Sequence, residues 1–222
     1  MKVKLVSHSK PSREIASEGL YDMQELIAFC ARVSNPANQF NTGTSDKLIK
    51  YLINNKHWSP LEMVSVCLEI ETTRDIARQM LRHRSFSFQE FSQRYADPTK
   101  DLDFVLREAR LQDTKNRQNS ITTDDLQLQA FWQQQQLRVI DAAKEAYTWA
   151  IDNGIAKEQA RAVLPEGNTV SRLYMNGTLR SWIHYIELRA ENGTQKEHRE
   201  IAVQCGRVIA EVFPLANQLI TK

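Results

Sequence analysis

The chain predicts an α+β fold, a compact domain in which a mixed or antiparallel β-sheet is flanked by helices. Three observations carry this expectation. Several segments place apolar residues at helical spacing, others alternate polar and β-branched residues, and the two kinds are intermixed along the chain. No internal repeat divides the 222 residues, a length that one large domain, residues 1–222, accommodates. Such a domain buries roughly 70% of the surface its unfolded chain exposes, so it needs no cross-links to fold.

Val3 and Leu5 alternate with Lys2 and Lys4, which predicts an opening strand. Residues 12–33 read as one helix, with Leu20, Met23, Leu26, Ile27 and Cys30 on a face, and Ser34-Asn35-Pro36 ends it because the residue before proline avoids the helical region. A polar loop over 35–43 and a short helix over 45–54 follow, then a turn at His57-Trp58-Ser59-Pro60. Residues 64–72 alternate and are β-branched, hence a strand. Ile76, Ala77, Met80 and Leu81 share one face of a helix expected over 73–84. The Ser/Phe run after it suits an extended segment, and 103–109 suits a further strand. Residues 115–123 read as a polar loop. A long, Gln-rich helix over 124–153 closes at Gly154. A short helix over 157–164 stops at Pro165, a strand covers 168–175, and two helices, 178–191 and 195–212, flank Asn192-Gly193.

Composition narrows the function classes. The chain is 41% hydrophobic and 25% charged, with a net charge of only +2, so it lacks the global basic field of many nucleic-acid binders. The three cysteines, Cys30, Cys67 and Cys205, form no Cys-x-x-Cys pair and are odd in number; small apolar core residues in a reducing, cytoplasmic protein are the expectation. No apolar run reaches the roughly 18 residues that span a bilayer, and residues 1–10 carry no signal-peptide core.

Positive charge is concentrated locally. Arg74, Arg78 and Arg82 recur every four residues, a single stripe on a helix, with Gln79 and His83 on the stripe beside it. Arg84, Ser92 and Arg94 follow within a run that also holds Phe86, Phe88, Phe91 and Tyr95. Arginine suits phosphate because its planar fork donates two parallel hydrogen bonds. Glu90 among these cations either neutralises them or accepts from a ribose hydroxyl; a purely structural ion-pair network is the plain alternative. Later, Arg180 and His184 share a helix face, whereas Arg189 lies about 140° further round and faces another partner. Leu179, Trp182, Ile183 and Ile186 form the core face of that helix. Singly, each of these arginines is most simply a solvated surface charge. His57, beside Trp58 and Pro60, is either a turn residue or a ligand contact, and His8 and His198 have no company in sequence and no assigned role. The chain has no Rossmann fingerprint, no P-loop, no zinc motif and no nucleophile elbow.

Read together, Arg82-His83-Arg84, seven residues, then Ser92 with Arg94 two later, resembles the signature of flavin-dependent thymidylate synthases. Arg78-Gln79-Met80-Leu81 precedes it as in that family. His57-Trp58-Ser59-Pro60-Leu61-Glu62, Ala160-Arg161-Ala162-Val163-Leu164-Pro165, and Leu179 to Arg189 resemble three further family elements, in order, across about residues 14–213. One departure is Met63, where the family usually has His.

The resemblance implies that family's α+β fold, a homotetramer with active sites shared between subunits, FAD as cofactor, NADPH as reductant, 5,10-methylenetetrahydrofolate as carbon donor and dUMP as acceptor, yielding dTMP. It implies FAD contacts at Ser59, Arg82, His83, Arg84, Glu90, Thr178, Leu179, Arg180 and His184. It implies dUMP contacts at Gln79, Met80, Leu81, Arg82, Glu90, Phe91, Ser92, Gln93, Arg94, Arg161 and Arg189. Of these, Arg94 and Arg161 would hold the phosphate, and Arg189 would be catalytic beside the uracil. Folate contacts would fall at His57 and Tyr95. No metal is implied. A single-stranded nucleic-acid binder is the rival, since arginines interleaved with aromatic rings can hold phosphates and stack bases; the near-zero net charge and Glu90 speak against it, so neither nucleic acid nor a membrane is expected as partner.

Overall fold

The structure, a computed structural model, describes residues 1–217. In chain order it runs β1 (Lys2–His8), α1 (Arg13–Ser17), α2 (Met23–Ala31), α3 (Ser45–Asn54), β2 (Ser65–Thr73), α4 (Arg74–Met80), β3 (Ser87–Glu90), α5 (Pro98–Asp101), β4 (Arg110–Gln112), β5 (Ser120–Thr122), α6 (Leu126–Asp152), α7 (Lys157–Ala160), β6 (Val170–Thr178), α8 (Leu179–Arg189) and α9 (Lys196–Ala210). Strands β1-β2-β6-β3 form one antiparallel sheet in that order, and β4 and β5 form a separate hairpin.

The sheet is two-faced, as antiparallel sheets with one solvated side are. Val66, Leu68 and Ile70 of β2, and Leu173 and Met175 of β6, are buried. They pack in one core with Ile76 and Met80 of α4, Trp182 and Ile186 of α8, and Ile201 and Ile209 of α9. On the other face, Lys2 and Arg172 pair with Glu71 and Lys4 pairs with Glu69 across strands. The expected core face of α8 is borne out at Leu179, Trp182, Ile183 and Ile186. The Trp182 indole N–H donates to the Val66 carbonyl at 2.9 Å and ties α8 to the sheet. Cys205 is buried, while Cys30 and Cys67 are only partly so.

Four expectations are corrected. The helix over 12–33 is two helices: Gly19 takes φ +96°, and Asp22 restarts the chain with a capping box in which its side chain accepts from Glu25 N–H. The strand over 103–109 does not form apart from one bridge, Phe104 to Thr169. Its backbone groups are satisfied instead by the glutamines of α6: Gln136 accepts from Arg107 N–H and donates to Arg107 C=O, both at 2.8 Å. Gln129 does the same for Ala109, at 2.7 and 2.9 Å. The polar loop over 115–123 contains β5. Finally, α4 ends at Met80, so Arg82 and His83 lie in a turn and only Arg74 and Arg78 share the helix stripe. The chain turns there because Phe86 must reach the core, where it packs edge-on against Trp182 with ring centroids 4.8 Å apart. Gly177 lies opposite, and a Cβ on it would fall 2.4 Å from the Phe86 ring.

Candidate active site

The residues singled out from the sequence assemble into three groups. The first gathers around His83. The Arg189 Nε–H donates to His83 Nε2 at 3.0 Å, joining the turn after α4 to the last residue of α8. The His83 ring stands edge-on to Tyr185 at 5.0 Å between centroids and to His198 at 6.4 Å. His198, set aside in the sequence, is fully buried, with Nε2 3.1 Å from the Tyr185 hydroxyl and Nδ1 3.2 Å from Gln79 Oε1. Burial, then Arg189 and His83, pull the His198 pKa down to about 3. Burial, then Arg189 and Arg82, lower that of His83 as well, so both imidazoles are neutral near pH 7.

Gln79 continues the group. Its Nε2 donates to Gln195 Oε1 at 2.8 Å, and Gln195 Nε2 donates to Glu197 at 3.0 Å. Glu197 is buried and salt-bridged to Arg107 at 3.0 Å and Arg110 at 2.6 Å. Burial opposes its charge, but hydrogen bonding from Arg110 and the field of Arg107 overcome this and bring its pKa to about 2. Arg107 also grips Asp75 at 2.8 Å. Gln195, Glu197, Tyr185 and His198 were missed in the sequence, because their partners lie far along the chain.

The second group centres on Glu90. It accepts from the Ser171 hydroxyl at 2.8 Å and faces Arg74 and Arg78, each at 3.6 Å. Arg74 is buried, and burial lowers its pKa against the opposing pull of Glu90. Here Glu90 neutralises arginines, one of the two readings open from the sequence. Nearby, Arg94 and Arg161 converge on one residue: Arg94 pairs with the Glu158 carboxylate at 3.4 Å, and Arg161 Nε–H donates to the Glu158 carbonyl at 3.3 Å. Ser92 Oγ accepts from Arg94 N–H at 3.3 Å, which curls the backbone there. Phe91 is half-buried and held to β6 by its N–H to Arg172 C=O at 2.8 Å. Gln93 is buried and its Nε2 has no hydrogen-bond partner.

The third group surrounds the start of α8. Thr178 caps the helix by accepting from Ser181 N–H at 3.3 Å. The turn containing Arg82 and Arg84 is tied to it by the Ser181 hydroxyl, which donates to Ser85 C=O at 3.3 Å. Arg180 pairs with Glu62, in the 3₁₀ turn Ser59–Glu62 that starts at the exposed Ser59. One turn along, the exposed His184 ring meets Trp58 tilted at 60°, with centroids 4.5 Å apart. Arg82 and Arg84 are exposed and have no acidic partner among the described residues. Three residues read as contacts do not offer side chains freely: Leu179 and Met80 are core, and Leu81 is half-buried. His57 is exposed and meets Tyr51 edge-on at 5.9 Å; Tyr95 is 83% exposed, and Met63 is exposed too.

A cleft of about 720 Å³ opens between α6 and residues 107–111, and its wall includes Asp75, Arg107, Arg110 and Gln195. None of Arg82, Arg84, Arg94, Arg161 and Arg189 lines it; Arg82, Arg84 and Arg94 are exposed, and Arg161 and Arg189 are part-buried. Among the described residues, no group of three His, Cys, Asp or Glu side chains is placed to hold a metal ion, and no helix is long and apolar enough to cross a membrane.

Comparison with known proteins places these groups in context. A family model described as thymidylate synthase complementing protein matches residues 18–215. The chain is 49% identical over 214 residues to a flavin-dependent thymidylate synthase of Synechocystis sp., covering 96% of each. It is 48% identical over 214 residues to a probable flavin-dependent thymidylate synthase of Paramecium bursaria Chlorella virus 1, again 96% of each. Its fold matches a UMP/dUMP methylase, PolB from Streptomyces cacaoi, solved with 5-Br dUMP: TM-score 0.79, 27% identity, 99% of this chain and 94% of that one.

Proposed function

This chain belongs to the flavin-dependent thymidylate synthases, the thymidylate synthase complementing protein family, and on that premise we propose that, as one domain over residues 1–222, it methylates dUMP reductively to dTMP. The observation that carries the reading is the convergence of distant matched elements. Gln79, His83 and Arg189 meet in one group, and Arg94 and Arg161 meet in another.

In this reading dUMP is held by its phosphate on Arg94 and Arg161, with backbone N–H groups near Ser92 adding donors. Arg94 already holds the Glu158 carboxylate, whose place a phosphate would take, and Arg161 lies three residues along the chain from Glu158 with its Nε–H on the Glu158 carbonyl. Glu90, Phe91, Gln93 and the 79–82 segment complete the nucleotide site, Met80 and Leu81 through backbone only. Arg189 is the catalytic residue at the uracil. Its guanidinium stabilises negative charge at N3, which polarises the ring toward attack at C6. His83 Nε2 accepts from Arg189 Nε–H and so fixes that guanidinium's direction. No thiol of the chain competes for C6 in this reading: burial raises the pKa of Cys30, Cys67 and Cys205, and none lies in the five short motifs that resemble the family's.

The third group fits FAD. Arg82 and Arg84 are exposed cations that lack acidic partners among the described residues, as a pyrophosphate requires, and His184 offers a ring face beside Ser59, Thr178 and Arg180. Leu179 contributes backbone alone, His83 borders FAD, and Arg82 and Glu90 border both ligands. FAD, reduced by NADPH, supplies the hydride, and 5,10-methylenetetrahydrofolate supplies the carbon, with His57 and Tyr95 as its contacts. The exposure of Arg82, Arg84 and Arg94 supports a homotetramer whose sites draw on several subunits. A cytoplasmic location accords with the free cysteines.

The test is dTMP formation by the purified protein with FAD, NADPH, methylenetetrahydrofolate and dUMP, leaving out each in turn. Product that requires all four is expected. NADPH oxidation that ignores dUMP would overturn the reading in favour of a non-methylating flavoprotein.

A further inference from the structure

The polar chain behind Gln79 has a direction, and the direction has one origin. Glu197 takes hydrogen bonds from Arg110 and Arg107 and, ionised, has no proton to give. Gln195 must therefore turn its amide nitrogen toward Glu197, at 3.0 Å, and its oxygen toward Gln79. An amide oxygen only accepts, so Gln79 meets it with Nε2 at 2.8 Å. Gln79 Oε1 is left facing His198 Nδ1 at 3.2 Å, and the imidazole proton must sit on that nitrogen. Neutral His198 then has its lone pair on Nε2, where the Tyr185 hydroxyl donates at 3.1 Å. Reversing any member would set two acceptors or two donors against each other in a part-buried site whose ends, His198 and Glu197, are buried and where an unmade hydrogen bond is costly.

We propose that Glu197 and Gln195 are positioning residues for the substrate: they hold the Gln79 amide in one orientation and His198 as its Nδ1–H tautomer, so that Gln79 meets dUMP with its remaining N–H and lone pair in a fixed order. The proposal rests on the reading of Gln79 as a dUMP contact and deepens it. Gln79 is half-buried, with one Nε2 hydrogen and one Oε1 lone pair uncommitted within the chain. An amide free to flip would present them in either order and would hold a base edge or ribose hydroxyl less selectively. The depressed pKa of His198 supports the assignment, because a charged ring would donate from both nitrogens.

Two measurements on the FAD-loaded enzyme test it. The first reads the ¹⁵N-labelled His198 ring by long-range ¹H–¹⁵N NMR without substrate. The proton is expected on Nδ1 in the native chain and distributed over both nitrogens in Gln195→Ala; a native proton on Nε2 overturns the proposal. The second titrates dUMP into oxidised enzyme carrying Gln195→Ala, Gln79→Ala or both. Gln195→Ala should weaken dUMP binding about tenfold with FAD occupancy unchanged, and add nothing in the Gln79→Ala background. Equal losses in both backgrounds would mean that Gln195 does not act through Gln79. Glu197→Gln should reproduce the mixed tautomer, and a tautomer left wholly Nδ1–H in both variants would also sink the idea. A native enzyme that fails to bind dUMP would remove the substrate reading itself, which the substrate-free tautomer measurement separates from a failure of the chain of hydrogen bonds.

Discussion

The Gln79–His198 group and the arginine groups on the surface solve opposite problems. Around Gln79 the charges are answered from within the chain: the buried Glu197 by the part-buried Arg107 and Arg110, and Arg107 by the part-buried Asp75 as well. At the surface, Arg82 and Arg84 stand in solvent without acidic partners among the described residues, and Arg94 holds Glu158 across an exposed pair. Burial explains the contrast. Leaving a charge unpaired in a low-dielectric interior is prohibitive, whereas water solvates an exposed guanidinium at little cost. The inner half therefore arrives pre-oriented, and the open half leaves its guanidiniums accessible to anions from solution. Arg189 stands at the seam, with one nitrogen committed to His83.

The comparison can be broken most severely at that seam. Arg189→Ala should cut kcat about a thousandfold while FAD remains bound, read by flavin absorbance on the purified variant; near-normal turnover would move the catalytic role elsewhere. The rigidity of the oriented half is tested next by Gly177→Ala. The added Cβ, 2.4 Å from the Phe86 ring, should lower stability by about 1–3 kcal/mol in chemical denaturation, and an unchanged midpoint would mean that the turn carrying His83 is not pinned by Phe86. Arg94→Ala addresses the open half. It should raise the dUMP requirement about ten- to a hundredfold and leave the FAD requirement and the unfolding midpoint nearly unmoved; equal effects on both ligands would take Arg94 out of the phosphate site.

Acid provides the mildest probe. The folded pKa of His198 is depressed to about 3, while an unfolded histidine titrates near about 6.5. Below that pH the unfolded chain takes up the extra proton, so this contribution to stability is fully present above about pH 6.5 and is lost as pH falls toward 3. The slope should be about 1.4 kcal/mol per pH unit from His198, with His83 acting in the same direction. Urea midpoints between pH 5.5 and 4.5 measure it, and His198→Asn should flatten the profile. Glu197 contributes only further down, between its ordinary carboxylate range and about pH 2.

What the sequence made legible follows the range of the forces involved. Helix α3 lies where its periodicity puts it, and the core face of α8 is as expected, because both are written in residues three or four apart. Residues 103–109 misled because a segment suited to a strand becomes one only if a partner strand is available, and here Gln129 and Gln136 of a helix take the backbone bonds instead. Gly19 and the Asp22 cap carried the break in the first helix, a local signal outweighed by apolar spacing on both sides. The arginine-rich turn was legible as a motif because its members are adjacent. His198 was not: a lone histidine in a helix looks the same on a surface as against Tyr185 and Gln79, and only the fold brings those partners to it.

The link from Gln79 to Gln195 spans 116 residues of chain, and α9 lies against β1 at the opposite end of the sequence. During synthesis, then, the turn carrying His83 is made long before the elements that tell Gln79 which way to point. A nascent chain on the ribosome that stops short of α9 can build the β2–β6 pair but has no means of orienting that amide. Competence to read a nucleotide would thus be conferred near the end of translation, all at once, when α9 docks.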